Sequence, residues 1–237
     1  MANFKTHIVT ATVASGIAST ALYVMDLLTS VESVVMLGAG IIGGALPDID
    51  SDHSTPLKIA FTLLSIIISF IVMFSQPFGD TVVELIALWI ATFMVMRFVV
   101  LRLFQSITVH RGIIHSLPVA AIAGLLSVHF IYHYSDQSAY LAWMFGSFIT
   151  FGFLVHLLLD EFYSVNLLGI EVKKSLGTAF KLYDSSQIGL SLLMYLIAAA
   201  LFWSAPSPLQ FATMIFNAHN WDHFLTMLYP TQGWFTR

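Results

Sequence analysis

Seven apolar stretches, separated by short polar segments, follow one another along the chain. They lie near residues 8–25, 34–47, 57–75, 82–104, 116–134, 139–160 and 189–204. The stretches do not alternate apolar and polar residues as β-barrel strands do, and most are long enough to cross a bilayer as helices. The first is rich in Thr, Ser and Ala, which is typical of a helix packed inside a bundle, and the second is short and glycine-rich. The pattern predicts an all-α, polytopic transmembrane bundle of about seven spans.

The spacing of these stretches also predicts the domain organisation. No long polar or Pro/Gly-rich linker separates them, so residues 1–204 are expected to form one transmembrane domain. Residues 205–237 are aromatic and contain three prolines, at positions 206, 208 and 230. This segment is expected to be interfacial or periplasmic.

Composition excludes several classes of protein. Apolar residues make up 58% of the chain and charged residues 9%, against about a quarter in soluble domains. A soluble enzyme, a disordered chain and a basic nucleic-acid binder are therefore excluded, and the bilayer is the expected partner. Cysteine is absent, which removes disulfides, thiolate catalysis and thiolate-bound metals.

The basic residues predict the orientation in the membrane. With the N-terminus in the cytoplasm and seven crossings, eight of the nine Lys and Arg residues fall on the cytoplasmic side, and only Arg237 falls outside. We therefore expect a multi-pass protein of a bacterial inner membrane with a cytoplasmic N-terminus.

Histidines and acidic residues from four segments fall at the cytoplasmic ends of the predicted helices. His156 and Asp160 are four residues apart, so they share one face of the sixth helix. Imidazole and carboxylate together ligate zinc, manganese and iron, so we predict two or three divalent ions, with zinc favoured and manganese as the alternative. The predicted ligands are His7, Asp48, Asp50, His53, His110, His115, His156 and Asp160. The predicted catalytic residues are Asp50, His115 and Arg111, the last as a partner for phosphate.

The order of these motifs resembles a known family. The motifs are Asp48-Ile49-Asp50 after Pro47, His110-Arg111-Gly112 with His115-Ser116, and His156-x-x-x-Asp160, preceded by His7. Over roughly residues 5–170 they resemble the YdjM-like inner-membrane proteins, bacterial proteins predicted to be metal-dependent hydrolases. That family is distantly similar to secreted zinc-dependent phospholipases C. The resemblance implies that His156 and Asp160 are ligands and that Asp48 or Asp50 bridges zinc ions.

Each candidate also has a structural interpretation. The Asp48/Asp50 pair can cap a helix end, and His156 can be a core histidine hydrogen-bonded to a carbonyl. If His110 and His115 lay on one continuous helix, their side chains would point about 140° apart around the helix axis, too far apart to bind one ion. His7 can be an ordinary interfacial histidine, and His53 can belong to a solvated charged loop. At the outer side, His129, His133, His219, Asp222 and His223 form a weaker candidate for an external metal site.

Taken together, these features predict a membrane-embedded metal-dependent hydrolase, in particular a phosphoesterase acting on a lipid-linked or amphiphilic phosphate. The alternative is a divalent-cation transporter, although transport sites tend to lie at the bilayer midplane rather than at one edge. A haem anchor with paired histidines is a third possibility, but it would leave the carboxylates unexplained.

Overall fold

The structure is a computed structural model that describes residues 3–50, 61–62, 64–66, 68–70, 72–73, 81–102, 115–166, 171–172, 182 and 188–228. The side chains of residues 49–50, 164–166 and 171–172 lie outside this description. The chain forms two compact units. The first comprises Met1–Pro47 and His115–Arg237, and the second comprises Asp48–Ile114.

Helices make up nearly all of the described first unit. They are α1 (Phe4–Val24), α2 (Ser30–Ala45), α4 (Leu117–Tyr134), α5 (Ala139–Ser164), α6 (Ile188–Ser204), α7 (Leu209–Ile215) and α8 (Ala218–Met227). A two-residue antiparallel pair, β1 (Val165–Asn166) and β2 (Glu171–Val172), follows α5. The second unit contains α3 (Val82–Met94), which continues as a π-helical segment, Val95–Val100, and a 3-10 turn spans Pro47–Asp50.

Local sequence signals explain where the first helices begin. The Asn3 side chain accepts a hydrogen bond from the Thr6 backbone N–H and caps α1. Thr29 and Glu32 form a capping box that starts α2. Between the two helices Asp26 adopts a φ of 57°, in the left-handed region, and this turns the chain back on itself.

Helix α5 lies at the centre of the first unit and packs against α1, α2 and α4. Its inward residues Met144, Phe148 and Ile149 form a core with Met36 and Ala39 of α2. The largest core side chains are almost fully buried, as burial of apolar surface requires. Helix α5 is therefore the element against which the neighbouring helices are positioned.

Small residues bring α1, α2 and α5 close together. The buried face of α1 repeats every four residues, as His7, Ala11, Ser15 and Ser19. On the facing helices, a Cβ at Gly43 would lie against the Ile149 backbone, and one at Gly152 would lie against the Gly40 backbone. This confirms the expectation, drawn from its small residues, that the first stretch packs inside a bundle.

The described residues include four helices that are long and apolar enough to cross a membrane: Phe4–Val24, Val82–Val100, Leu117–Tyr134 and Ala139–Tyr163. A fifth span is possible if Ile188–Ser204 and Leu209–Ile215, which meet at 95°, are counted as one. The multi-pass helical prediction is confirmed at this level. The predicted second span is the shorter helix Ser30–Ala45, and the predicted third span, 57–75, is only partly described, so the number seven stays a prediction.

Candidate metal centre

The candidate centre lies at the end of the first unit where α1 and α4 begin and α5 approaches its end. His7 lies one turn inside α1, on the same buried face as Ala11. His115 immediately precedes Ser116, the N-cap residue of α4. His156 and Asp160 lie in the last turns of α5, one above the other on its inner face. Three segments that are distant in sequence thus deliver their side chains to one place.

The Asp160 carboxylate is the focus of the cluster. Its Oδ1 lies 3.2 Å from His7 Nε2, and its Oδ2 lies 3.6 Å from His156 Nε2. Asp160, His7 and His156 are only 3%, 1% and 0% exposed. A carboxylate this deeply buried is costly unless positive charge or hydrogen bonds surround it, and the groups nearest to it here are imidazoles.

The rings of His7 and His156 stack face to face, with centroids 3.6 Å apart and planes 9° from parallel. Both Nε2 atoms lie on the side of the Asp160 carboxylate, 3.2 Å and 3.6 Å from its oxygens. Neutral imidazole is the form of histidine that ligates metals.

A backbone carbonyl sets the tautomer of His156. Its Nδ1 lies 2.7 Å from the carbonyl oxygen of Gly44 in α2. A carbonyl can only accept, so Nδ1 carries the hydrogen and donates it. In the neutral ring Nε2 then holds the lone pair, on the side facing Asp160. Metal-ligating histidines commonly donate their second ring N–H to a carbonyl in this way.

His115 completes the cluster on its more open side. Its Nε2 lies 3.9 Å from Asp160 Oδ2, and its ring is tilted by 58° to that of His156 with centroids 5.6 Å apart. His115 is 14% exposed, more than the other three members of the cluster. It therefore lies where the buried cluster meets the outside of the described unit.

The residues present fit a divalent metal ion. His7, His156 and Asp160 each offer one ligand atom, and these atoms lie within 4.8 Å of one another. Both ring nitrogens of His7 are buried, and Nε2 lies 3.2 Å from the Asp160 carboxylate. Two imidazoles and one carboxylate are a common donor set for zinc, manganese and iron.

Within the first unit, the structure brings together four of the predicted ligands: His7, His115, His156 and Asp160. Asp48 lies half-buried in the 3-10 turn that follows α2 and is the first residue of the second unit. The Asp50 side chain, His53, His110 and Arg111 lie outside the described residues, so their predicted roles stay predictions.

One functional group was not predicted from the sequence. The Gly44 carbonyl accepts a hydrogen bond from His156. Every residue has a backbone carbonyl, so the residue type at position 44 could not indicate this role. The clustered glycines of α2 were the available sign, because they mark a helix that another backbone approaches closely. The carbonyl partner expected for a core histidine does exist, and it uses only Nδ1 of His156.

The fold and the cluster define a class of protein: a polytopic helical membrane protein with a buried histidine–aspartate centre at one end of its bundle. Residues 1–216 match the family described as YdjM inner membrane protein. The chain belongs to this family and is accordingly a multi-pass inner-membrane protein. A comparison with curated proteins found no match, and neither did a comparison with solved structures.

Proposed function

We propose that this protein is a metal-dependent hydrolase, a phosphoesterase that acts on a lipid-linked or amphiphilic phosphate at the cytoplasmic face of the membrane. The observation that carries the proposal is the convergence of His7, His156 and Asp160 donor atoms within 4.8 Å in a buried position. A convergence of neutral imidazole and carboxylate is more specific to metal binding than any one of these residues alone.

His7, His156 and Asp160 would hold the ion, with zinc as the first candidate. The ion would supply Lewis acidity and would favour ionisation of water near neutral pH. Asp160 would balance the positive charge, and the Gly44 carbonyl would keep Nδ1 of His156 protonated. His115, the most exposed member of the cluster, would take or return a proton at a ring nitrogen.

The position of the cluster supports an amphiphilic substrate. His7 and His115 lie near helix ends, which in a spanning helix is the depth of lipid headgroups. A groove of about 370 Å³ runs along α4 and α5, and its lining is mostly apolar. An apolar groove of this kind suits the apolar tail of an amphiphilic molecule. The preference for phosphate rests on the sequence, on Arg111 and the resemblance to phospholipases C.

Metal content of the detergent-purified protein tests the first half of the proposal. Mass spectrometry should find at least one divalent ion per chain in the wild type and in His133→Ala, a control at an exposed histidine. Asp160→Asn and His7→Ala should each bind one ion fewer than the wild type, with circular dichroism confirming that they remain helical. Failure of the wild type to bind zinc, manganese or iron after reconstitution would overturn the metallohydrolase proposal.

Turnover tests the second half. The loaded protein, in mixed micelles, should release phosphate or a phosphorylated headgroup from a phospholipid or a polyprenyl phosphate. Asp160→Asn should release neither. If instead the loaded protein carries zinc across sealed vesicles and hydrolyses none of these lipids, the transporter alternative replaces the hydrolase.

A further inference from the structure

A second group of polar side chains lies at the other end of the first unit. There a pocket of about 440 Å³ opens between the α1–α2 turn, the start of α5 and the two short C-terminal helices. It is lined by Met25, Asp26, Leu27, Tyr140, Met214, His219, Asn220 and His223. The 17 residues of α1 that follow His7 separate it from this pocket by about 25 Å, so the pocket is not part of the first cluster.

Two imidazoles and a carboxylate face this pocket. His219 and His223 are four residues apart on α8, so they lie on one face of that helix on successive turns. Across the pocket, Asp26 Oδ2 lies 3.9 Å from His223 Nε2. Neither imidazole makes a hydrogen bond within the described residues, so the ring nitrogens are available to a ligand.

The separation of Asp26 and His223 suits a shared cation. Two ligands bound to zinc at about 2.1 Å in tetrahedral geometry lie about 3.4 Å apart. The 3.9 Å between Asp26 and His223 is longer than a hydrogen bond but within a small side-chain rotation of that value. His219 lines the same pocket, one helical turn before His223 on α8.

Two side-chain hydrogen bonds to backbone carbonyls hold the chain around the pocket in place. The Tyr140 hydroxyl donates to the Leu27 carbonyl at 2.8 Å, which fixes the α1–α2 turn against α5. The Asn220 amide donates to the Met214 carbonyl at 2.8 Å, which fixes α8 against α7. The candidate ligands therefore project from anchored segments, as a preformed site requires.

We propose that Asp26, His219 and His223 form a second, solvent-open binding site for a divalent transition-metal ion such as Zn²⁺. The donor set selects zinc, copper or nickel over calcium and magnesium, because two of the three ligands are imidazoles. An ion there connects α8 to the α1–α2 turn. With the predicted orientation, the site faces the outer side of the membrane, opposite the proposed hydrolytic centre.

Equilibrium dialysis against zinc tests this site in the full-length protein. The double variant His219→Ala/His223→Ala should bind one zinc equivalent fewer than the wild type, and Asp26→Asn should bind that equivalent about tenfold more weakly. The matched control is His129→Ala/His133→Ala, which removes another i, i+4 histidine pair, in the last turns of α4. This control should bind as much zinc as the wild type. An unchanged stoichiometry and affinity in the α8 double variant would overturn the proposal.

Zinc binding at the second site can be measured independently of the His7/His156/Asp160 centre. Repeating the comparison in an Asp160→Asn background lowers the total zinc bound if the first centre is real, but the difference between the α8 double variant and its parent should remain one equivalent. Copper binding in the same background gives a second readout. The electron paramagnetic resonance spectrum should show coupling to imidazole nitrogen, and this coupling should disappear in the α8 double variant.

Discussion

The close contact between α2 and α5 gives a sharp prediction for Gly152→Ala. A Cβ at Gly152 would lie 2.8 Å from the Gly40 carbonyl carbon, 2.8 Å from the Gly44 nitrogen and closer still to the Gly40 carbonyl oxygen. All three are backbone atoms, so no side-chain rotation can relieve the overlap. Carbon atoms in contact normally lie about 3.5–4.0 Å apart, so the two helices must separate by about 1 Å.

Gly38→Ala is the matched control. Gly38 lies on α2, the helix that Gly152 of α5 faces, and a Cβ there meets nothing within 4 Å. Both variants gain helix propensity of about 1 kcal/mol, so this gain cancels when they are compared. Overpacking costs about 1–3 kcal/mol, and we expect Gly152→Ala to be less stable than Gly38→Ala by that amount. The measurement is reversible unfolding in mixed micelles followed by circular dichroism. Equal stability of the two variants, within about 0.5 kcal/mol, would refute this account of the packing.

The displacement of α2 in Gly152→Ala should also weaken the candidate metal centre. Moving α2 by about 1 Å would lengthen the 2.7 Å contact between His156 Nδ1 and the Gly44 carbonyl beyond hydrogen-bonding range. If the proposed metal site is correct, Gly152→Ala should bind zinc about 10- to 100-fold more weakly, as losses of such second partners commonly do. Gly38→Ala should bind zinc as the wild type does.

Three further outcomes are expected. Tyr140→Phe, which removes the 2.8 Å hydrogen bond to the Leu27 carbonyl, should lower the free energy of unfolding by about 1 kcal/mol, and no change would show that the bond contributes nothing. His129→Ala, which removes a 2.9 Å contact with an α6 carbonyl, should speed amide hydrogen exchange in α6 while leaving metal content unchanged; exchange at the wild-type rate would contradict this role. Because the chain has no cysteine, Gln137→Cys should react with an impermeant maleimide in intact cells, whereas Lys5→Cys should react only after lysis; the reverse pattern would place the N-terminus outside.

Much of the architecture could be predicted from local sequence. Spans near 82–104, 116–134 and 139–160 correspond to long apolar helices, because hydropathy over about 20 residues decides whether a segment suits a bilayer. The prediction was less complete at the C-terminus. The segment 205–237, predicted to be interfacial or periplasmic, contains α7 and α8, and α7 bends 95° from α6 after a stretch with two prolines. The angle of such a bend depends on what the helices pack against, which composition does not encode.

The candidate site was predicted in part. The i, i+4 spacing of His156 and Asp160 already placed both on one helix face, because that relation is local. That His7 stacks on His156, while His115 reaches the same carboxylate from the start of α4, depends on how α1 and α4 dock on α5. The histidines predicted to lie on the outer side do not form one group. His129 contacts α6, whereas His219 and His223 line a pocket with Asp26.

The sequence alone determined the membrane class, the helical segments and the residue types available for metal binding, because hydropathy, periodicity and composition are local properties. Only the tertiary structure decided that His7, His115, His156 and Asp160 meet. Small residues on α1, α2 and α5 let three helices approach until a carboxylate, two stacked imidazoles and a backbone carbonyl come together. Such an approach is set by the shapes of facing surfaces that are far apart in the chain, and no single segment contains that information.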